Sequence, residues 1–141
     1  MWGGKKNRSE KVNTLIGQQT ELHGDIVFSG GLHVDGKVKG SVLADKESST
    51  MLVISDKGSI EGEIRAPYIV VNGLVIGDIY ASESIELAQN ARITGDVYYN
   101  RIEVVMGAEV NGNLVHFVET SNIAKASATS LSQLKEVEGN T

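Results

Sequence analysis

The sequence predicts an all-β, single-domain parallel β-helix of about six turns. Three observations predict it. A short pattern, aliphatic-x-Gly-x-aliphatic, occurs six times within 141 residues. Its glycines are 24, 40, 62, 77, 95 and 112, which are 16, 22, 15, 18 and 17 residues apart. A unit this short has nothing to bury its apolar face against, so it is one rung of a stacked array. Finally, each copy but the first follows an aliphatic-x-aliphatic step, the period-two alternation of a strand.

In chain order the copies are Leu22-His23-Gly24-Asp25-Ile26, Val38-Lys39-Gly40-Ser41-Val42, Ile60-Glu61-Gly62-Glu63-Ile64, Val75-Ile76-Gly77-Asp78-Ile79, Ile93-Thr94-Gly95-Asp96-Val97 and Val110-Asn111-Gly112-Asn113-Leu114. The steps before the last five are Leu32-His33-Val34, Leu52-Val53-Ile54, Ile69-Val70-Val71, Ile85-Glu86-Leu87 and Ile102-Glu103-Val104. Thr14-Leu15-Ile16 is a weaker candidate for the first turn. Val- and Ile-rich segments separated by Gly, Asn, Asp and Ser read as strands joined by turns. With a rise of about 4.8 Å per rung, six rungs make a rod of only about 29 Å.

Stacked, the copies give two wholly aliphatic lines, one from Leu22 to Val110 and one from Ile26 to Leu114. A narrow interior without room for rings requires this, and aromatic residues make up only 5% of the chain. The glycines form a third line, expected where the backbone takes a positive φ or approaches a neighbour closely. The position after each glycine reads Asp25, Ser41, Glu63, Asp78, Asp96 and Asn113. Stacked carboxylates repel, so this line is expected to cost stability and to act as a solvated edge that resists lateral pairing. The longest interval contains residues 44–50, a polar surface loop between rungs.

Composition excludes several classes. There is no cysteine, hence no disulfide framework and no thiolate metal site. No run of 18 apolar residues suggests a spanning helix. No apolar stretch near the start reads as a secretory signal, so a cytoplasmic location is expected. The net charge of −5 argues against general nucleic-acid binding. That charge is uneven: residues 1–11 carry +3, residues 12–117 carry −7 and residues 118–141 carry −1. The expected organisation is a basic, disordered arm over 1–11, a β-helix over 12–118 and a polar, disordered tail over 119–141, with a weak helical signal near residues 130–137.

Both ends of the rod are candidate contact surfaces. A β-helix exposes unpaired N–H and C=O groups at its first and last rungs, and no amphipathic capping helix is legible at either end. The last rung finishes Leu114-Val115-His116-Phe117-Val118, unusually apolar for an exposed end. Phe117, Val115 and Leu114 are therefore expected at one interface, and Leu15, Leu22 and Phe28 near the other. Contacts between like ends would be isologous and the filament non-polar. In the arm, Met1, Trp2, Lys5, Lys6 and Arg8 set an interfacial aromatic beside a basic cluster, a membrane-surface signal strengthened when many arms are presented together.

These glycine-punctuated aliphatic rungs, flanked by short polar tails and preceded by a Met-aromatic start with lysines, resemble bactofilins, a family of bacterial polymer-forming cytoskeletal proteins. The resemblance covers roughly residues 12–118. It implies a right-handed β-helix whose subunits join end to end into nucleotide-independent, non-polar filaments. It also implies attachment to the inner face of the cytoplasmic membrane through the arm, and a role in cell shape or in placing proteins of cell-wall synthesis or hydrolysis. No cofactor, metal or nucleotide is expected.

Two rival readings stand beside it. A left-handed β-helix acyltransferase of the hexapeptide type also uses aliphatic rungs, but spacings of 15 to 22 fit a strict hexad poorly. Its histidine base would have to be His23, His33 or His116, which fall in different rungs with no evident partner. His23 and His33 also lack the companions a metal site needs. No catalytic residue is assigned. The other rival is a non-polymerising scaffold that binds a protein partner through its sides, with Tyr80 and Tyr98 at equivalent positions of adjacent rungs.

Overall fold

The computed structural model describes residues 14–45 and 50–117, and these form strands and turns with no helix. The strands are β1 (Thr14–Ile16), β2 (Glu21–His23), β3 (Ile26–Phe28), β4 (Gly31–Val34), β5 (Lys37–Lys39), β6 (Val42–Ala44), β7 (Met51–Ile54) and β8 (Ser59–Glu61). They continue with β9 (Ile64–Val71), β10 (Leu74–Ile76), β11 (Ile79–Leu87), β12 (Arg92–Thr94), β13 (Val97–Val104), β14 (Glu109–Asn111) and β15 (Leu114–His116). Each turn of the coil carries three strand segments. The long strands β9, β11 and β13 each run round a corner, closing one turn and opening the next.

Every strand pair is parallel, each segment bonding to its equivalent one turn away, as a six-turn parallel β-solenoid requires. The second segments stack as a six-stranded sheet, β2-β5-β8-β10-β12-β14. The first and third segments share a nine-stranded sheet, with β3 reaching β9 through β6. In β11 the register shifts between Ala81 and Ser84, where the strand bends from one side of the coil to the next.

The aliphatic lines read from the sequence are the register of the fold. Leu22, Val38, Ile60, Val75, Ile93 and Val110 pair in succession, as do Ile26, Val42, Ile64, Ile79, Val97 and Leu114. The inner members of both lines are at most 1% exposed. Thr14-Leu15-Ile16 also forms a strand, paired with Leu32-His33-Val34, and Ile16 joins the core. One inward line escaped the glycine pattern. It includes Phe28 beside Ala44, then Ala66, Ala81, Tyr99 and His116. Alanines hold the middle of this corner and rings its ends, so the coil is tight at the centre and filled by larger groups near the openings.

The glycine line has a steric cause. At Gly40, Gly62, Gly77, Gly95 and Gly112 a Cβ would run into the carbonyl oxygen of the glycine one turn before. Their φ angles, between +143° and +156°, are also disfavoured for L side chains. Gly24 differs: φ is +129°, but a Cβ there meets nothing within 4 Å. Of the polar loop expected over 44–50, residues 46–49 lie outside the described residues, while Ala44 closes β6 and Thr50, fully buried, leads into β7. The arm, the tail and the residues at the two outer domain boundaries likewise lie outside them.

Gly77→Ala is predicted to lose at least about 2 kcal/mol in urea unfolding followed by far-ultraviolet circular dichroism, since strain at φ of about 1–3 kcal/mol adds to a backbone collision. Gly24→Ala, which meets strain alone, loses measurably less. Equal losses would show that the close approach contributes nothing.

Candidate functional site

The core does not stop at the ends of the rod; it comes to the surface there. Leu22, first in its line, is 37% exposed, and Leu114, last in the other, is 47% exposed. Val104, last in the line that runs through Leu87, is 52% exposed. Around the first turn Leu15 and Val27 are exposed at outward positions, Leu15 in line with His33 and Val27 in line with Leu43. Around the last turn Val115 is exposed in line with Tyr98. Phe117 is half-buried, its N–H donating to the Tyr99 carbonyl at 2.9 Å.

Phe28 is placed differently from its companions Leu15 and Leu22. Only 7% exposed, it points inward next to the small Ala44 and fills the first turn from within. Val27 and Met106 are exposed apolar residues outside the repeat pattern, and Val104, which ends the last aliphatic step, is exposed as well. Met106 had a signal: the same turn position holds Gln18, Asp56 and Gln89 elsewhere, so an apolar side chain there departs from the pattern.

One flank of the rod carries an outward line of Val27, Leu43, Arg65, Tyr80, Tyr98 and Val115. The Tyr80 and Tyr98 rings stack with centroids 4.6 Å apart and planes 3° from parallel. The Arg65 guanidinium lies 4.0 Å above the Tyr80 ring and pairs with Glu63. Burial within the stack raises both tyrosine pKa values above 10.0; Tyr98 then adds to the rise at Tyr80, and Asp96 to that at Tyr98.

Beside this line runs the acidic one, and here the structure corrects the expectation of a destabilising ladder. Asp25 Oδ1 accepts the Ser41 N–H at 2.9 Å, and Asp78 Oδ1 accepts the Asp96 N–H at 3.0 Å. Asp96 Oδ1 accepts the Asn113 N–H at 3.0 Å and its side-chain amide at 3.3 Å. Each bond spans one turn, so the carboxylates latch successive turns at corners where the strand ladder is interrupted. Charged acceptors make the stronger hydrogen bonds, and these offset the repulsion along the line.

The histidines have partners the sequence did not reveal. His23 Nε2 lies 2.9 Å from Glu21, which also faces Lys39 at 3.7 Å. His33 Nε2 lies 3.0 Å from Asp35. His116 stands beside Tyr99, with ring centroids 5.4 Å apart. His23 and His33 fall in different sheets, and no group of three or more His, Cys, Asp or Glu among the described residues is arranged to hold a metal ion. Among the described residues no helix is long and apolar enough to cross a membrane. The arm residues Met1, Trp2, Lys5, Lys6 and Arg8 lie outside the described residues.

Asp78→Ala is predicted to cost about 1–3 kcal/mol, because it strands the part-buried Asp96 N–H. Asp78→Asn keeps an oxygen at that place and is expected to lose less than half as much. Denaturant melts of the two variants side by side check this, and equal losses would mean that charge rather than the latch matters.

The bactofilin family model, described as polymer-forming cytoskeletal, matches residues 14–115. That span runs from the first strand into the last. Among curated proteins, bactofilin BacO of Myxococcus xanthus (strain DK1622) is 34% identical over 103 residues, covering 73% of this chain and 79% of BacO. Bactofilin BacP of the same organism is 29% identical over 102 residues, covering 72% of this chain but only 41% of BacP. No solved structure gives a significant match. The repeat, the register and these likenesses agree: the chain belongs to the bactofilins, a family of polymer-forming cytoskeletal proteins.

Proposed function

We propose that this bactofilin is a structural, non-enzymatic scaffold whose rods join end to end, without nucleotide, into filaments. The observation that carries the proposal is the surfacing of the core at Leu22 and Leu114, whose lines are fully buried through the four turns between the first and the last. An exposed end of a dry core is an adhesive surface, and covering it recovers about 25 cal/mol for each Å² of apolar area. Leu114, Val115 and Phe117 form one contact surface, widened by Val104 and Met106. Leu15 and Leu22 form the other, with Phe28 supporting them from inside and Val27 extending the rim. The strands of the first and last turns also bring edge N–H and C=O groups that a second rod can pair. Like ends meet, which makes each contact two-fold and the filament non-polar.

The basic arm ties the filament to the inner face of the cytoplasmic membrane. Trp2 suits the headgroup region, and Lys5, Lys6 and Arg8 each add about 1 kcal/mol at an anionic surface. One arm binds weakly; a filament presents many, and avidity converts weak contacts into attachment. So anchored, the filament supports cell shape or holds cell-wall synthesis or hydrolysis proteins in place.

Negative-stain electron microscopy of the purified protein, with no nucleotide or metal added, tests the assembly. Narrow filaments of uniform width are expected from the wild type. Leu114→Arg and Phe117→Arg are expected to leave short particles with an unchanged β-type circular dichroism spectrum; normal filaments from both would overturn the interface. Removing residues 1–8 is expected to release the protein from sedimenting anionic vesicles while leaving the filaments intact.

A further inference from the structure

We propose that the basic arm, residues 1–11, has a second docking place on the rod's own flank, along the Arg65, Tyr80 and Tyr98 line and the carboxylates beside it. The inference does not rest on the membrane reading and holds even for an arm that never meets a lipid.

The flank has the chemistry of a receptor for a cationic, aromatic segment. Its centre is the stacked pair Tyr80 and Tyr98, with Arg65 over the free face of Tyr80 and the apolar Leu43 and Val115 further along the line at either side. Along one border stand Asp25, Glu63, Asp78 and Asp96. The latches employ Oδ1 of the three aspartates, which leaves Oδ2 as an acceptor for an ammonium or guanidinium group. The field of these acids is felt at the stack: Asp78 and Asp96 both raise the Tyr98 pKa.

Charge decides among occupants. A second rod laid flank to flank would bring two acidic lines together, on bodies that each carry −7 over residues 12–117. An anionic membrane is repelled for the same reason. The arm carries +3 and contains Trp2 with Lys5, Lys6 and Arg8. Aromatic and arginine side chains are the usual anchors of such contacts.

Geometry permits it. The chain enters β1 at Thr14, paired with Leu32, while β3 ends at Phe28 just round the corner. The arm is thus rooted at the edge that borders this flank. Trp2 is twelve residue steps from Thr14, an extended reach of about 40 Å. Tyr98 lies four turns along the rod, about 19 Å away at one strand spacing per turn. A tethered segment with slack also binds at a high effective concentration. An arm held on the flank is withheld from any other surface.

Trp2 is the only tryptophan, so its emission reports on the arm in the full chain. Relative to a synthetic peptide of residues 1–11, the full chain is expected to show blue-shifted emission and reduced quenching by acrylamide. Both effects should be independent of protein concentration. They should be lost in 0.5 M salt (roughly a 4 Å screening length) and in two double variants, Tyr80→Ser with Tyr98→Ser and Asp78→Asn with Asp96→Asn. The aspartate pair keeps the latching oxygens, so an unchanged β spectrum is expected to accompany the loss. Peptide-like emission in the wild type would overturn the proposal. So would a shift that both double variants retain, or one that grows with concentration, since those place the arm at a rod end or on a neighbouring rod. Tighter binding of the double variants to anionic vesicles is the expected corollary. If no chain binds vesicles, the membrane reading falls and the emission result still decides the docking.

Discussion

Everything in this rod depends on how closely one turn can lie on the next. Strand pairing sets that distance near 4.8 Å, and at the corner after each second segment the backbone must stay at it while changing direction. From the second turn on there is no volume there for a Cβ, because the carbonyl of the preceding glycine already occupies it. The glycine line therefore has the standing of a core residue although it contributes no side chain. Once the glycines stack, the aliphatic residues two positions to either side are brought into line, and the interior closes as columns of branched side chains. The aspartates that follow the glycines act at the same corner, supplying acceptors to N–H groups the ladder leaves out.

The same constraint explains which features could be read in advance. Register was legible because a glycine marks the same point of every turn, under steric pressure from the second turn on, and the aliphatic pairs fall into place around it. The strand at Thr14–Ile16 was harder to see, since its first inward position is a threonine, yet pairing with β4 settles it. The role of the aspartates is not legible in the sequence. Treated as charges in a column they repel; in the fold each accepts a backbone N–H within 3.0 Å, a partner one turn away that no local pattern announces. Glu21 and Asp35 stand two residues from His23 and His33, on the same side of an extended chain, so the sequence permits these contacts without requiring them, and the structure shows that both are made.

The ends divide similarly. Leu22 and Leu114 were legible as termini of aliphatic lines, and both are exposed as such lines must be where turns run out. Phe28 was not, because its column is made of alanines and rings and follows no aliphatic pattern. What makes it a core residue is the space beside Ala44, a property of its neighbour rather than of itself.

The latches have a direction. Every one runs from a carboxylate in one turn to an N–H in the next, never the reverse. The first turn thus ends on a surface that has already given its acceptor inward, while the last turn carries Asn113, an acceptor with no described turn ahead of it. The two ends of the rod are chemically unlike. A filament built by joining like to like would then alternate two junctions of different composition and different strength. It would come apart first at the weaker, shedding two-rod pieces, and the pair rather than the single chain would be its unit of exchange.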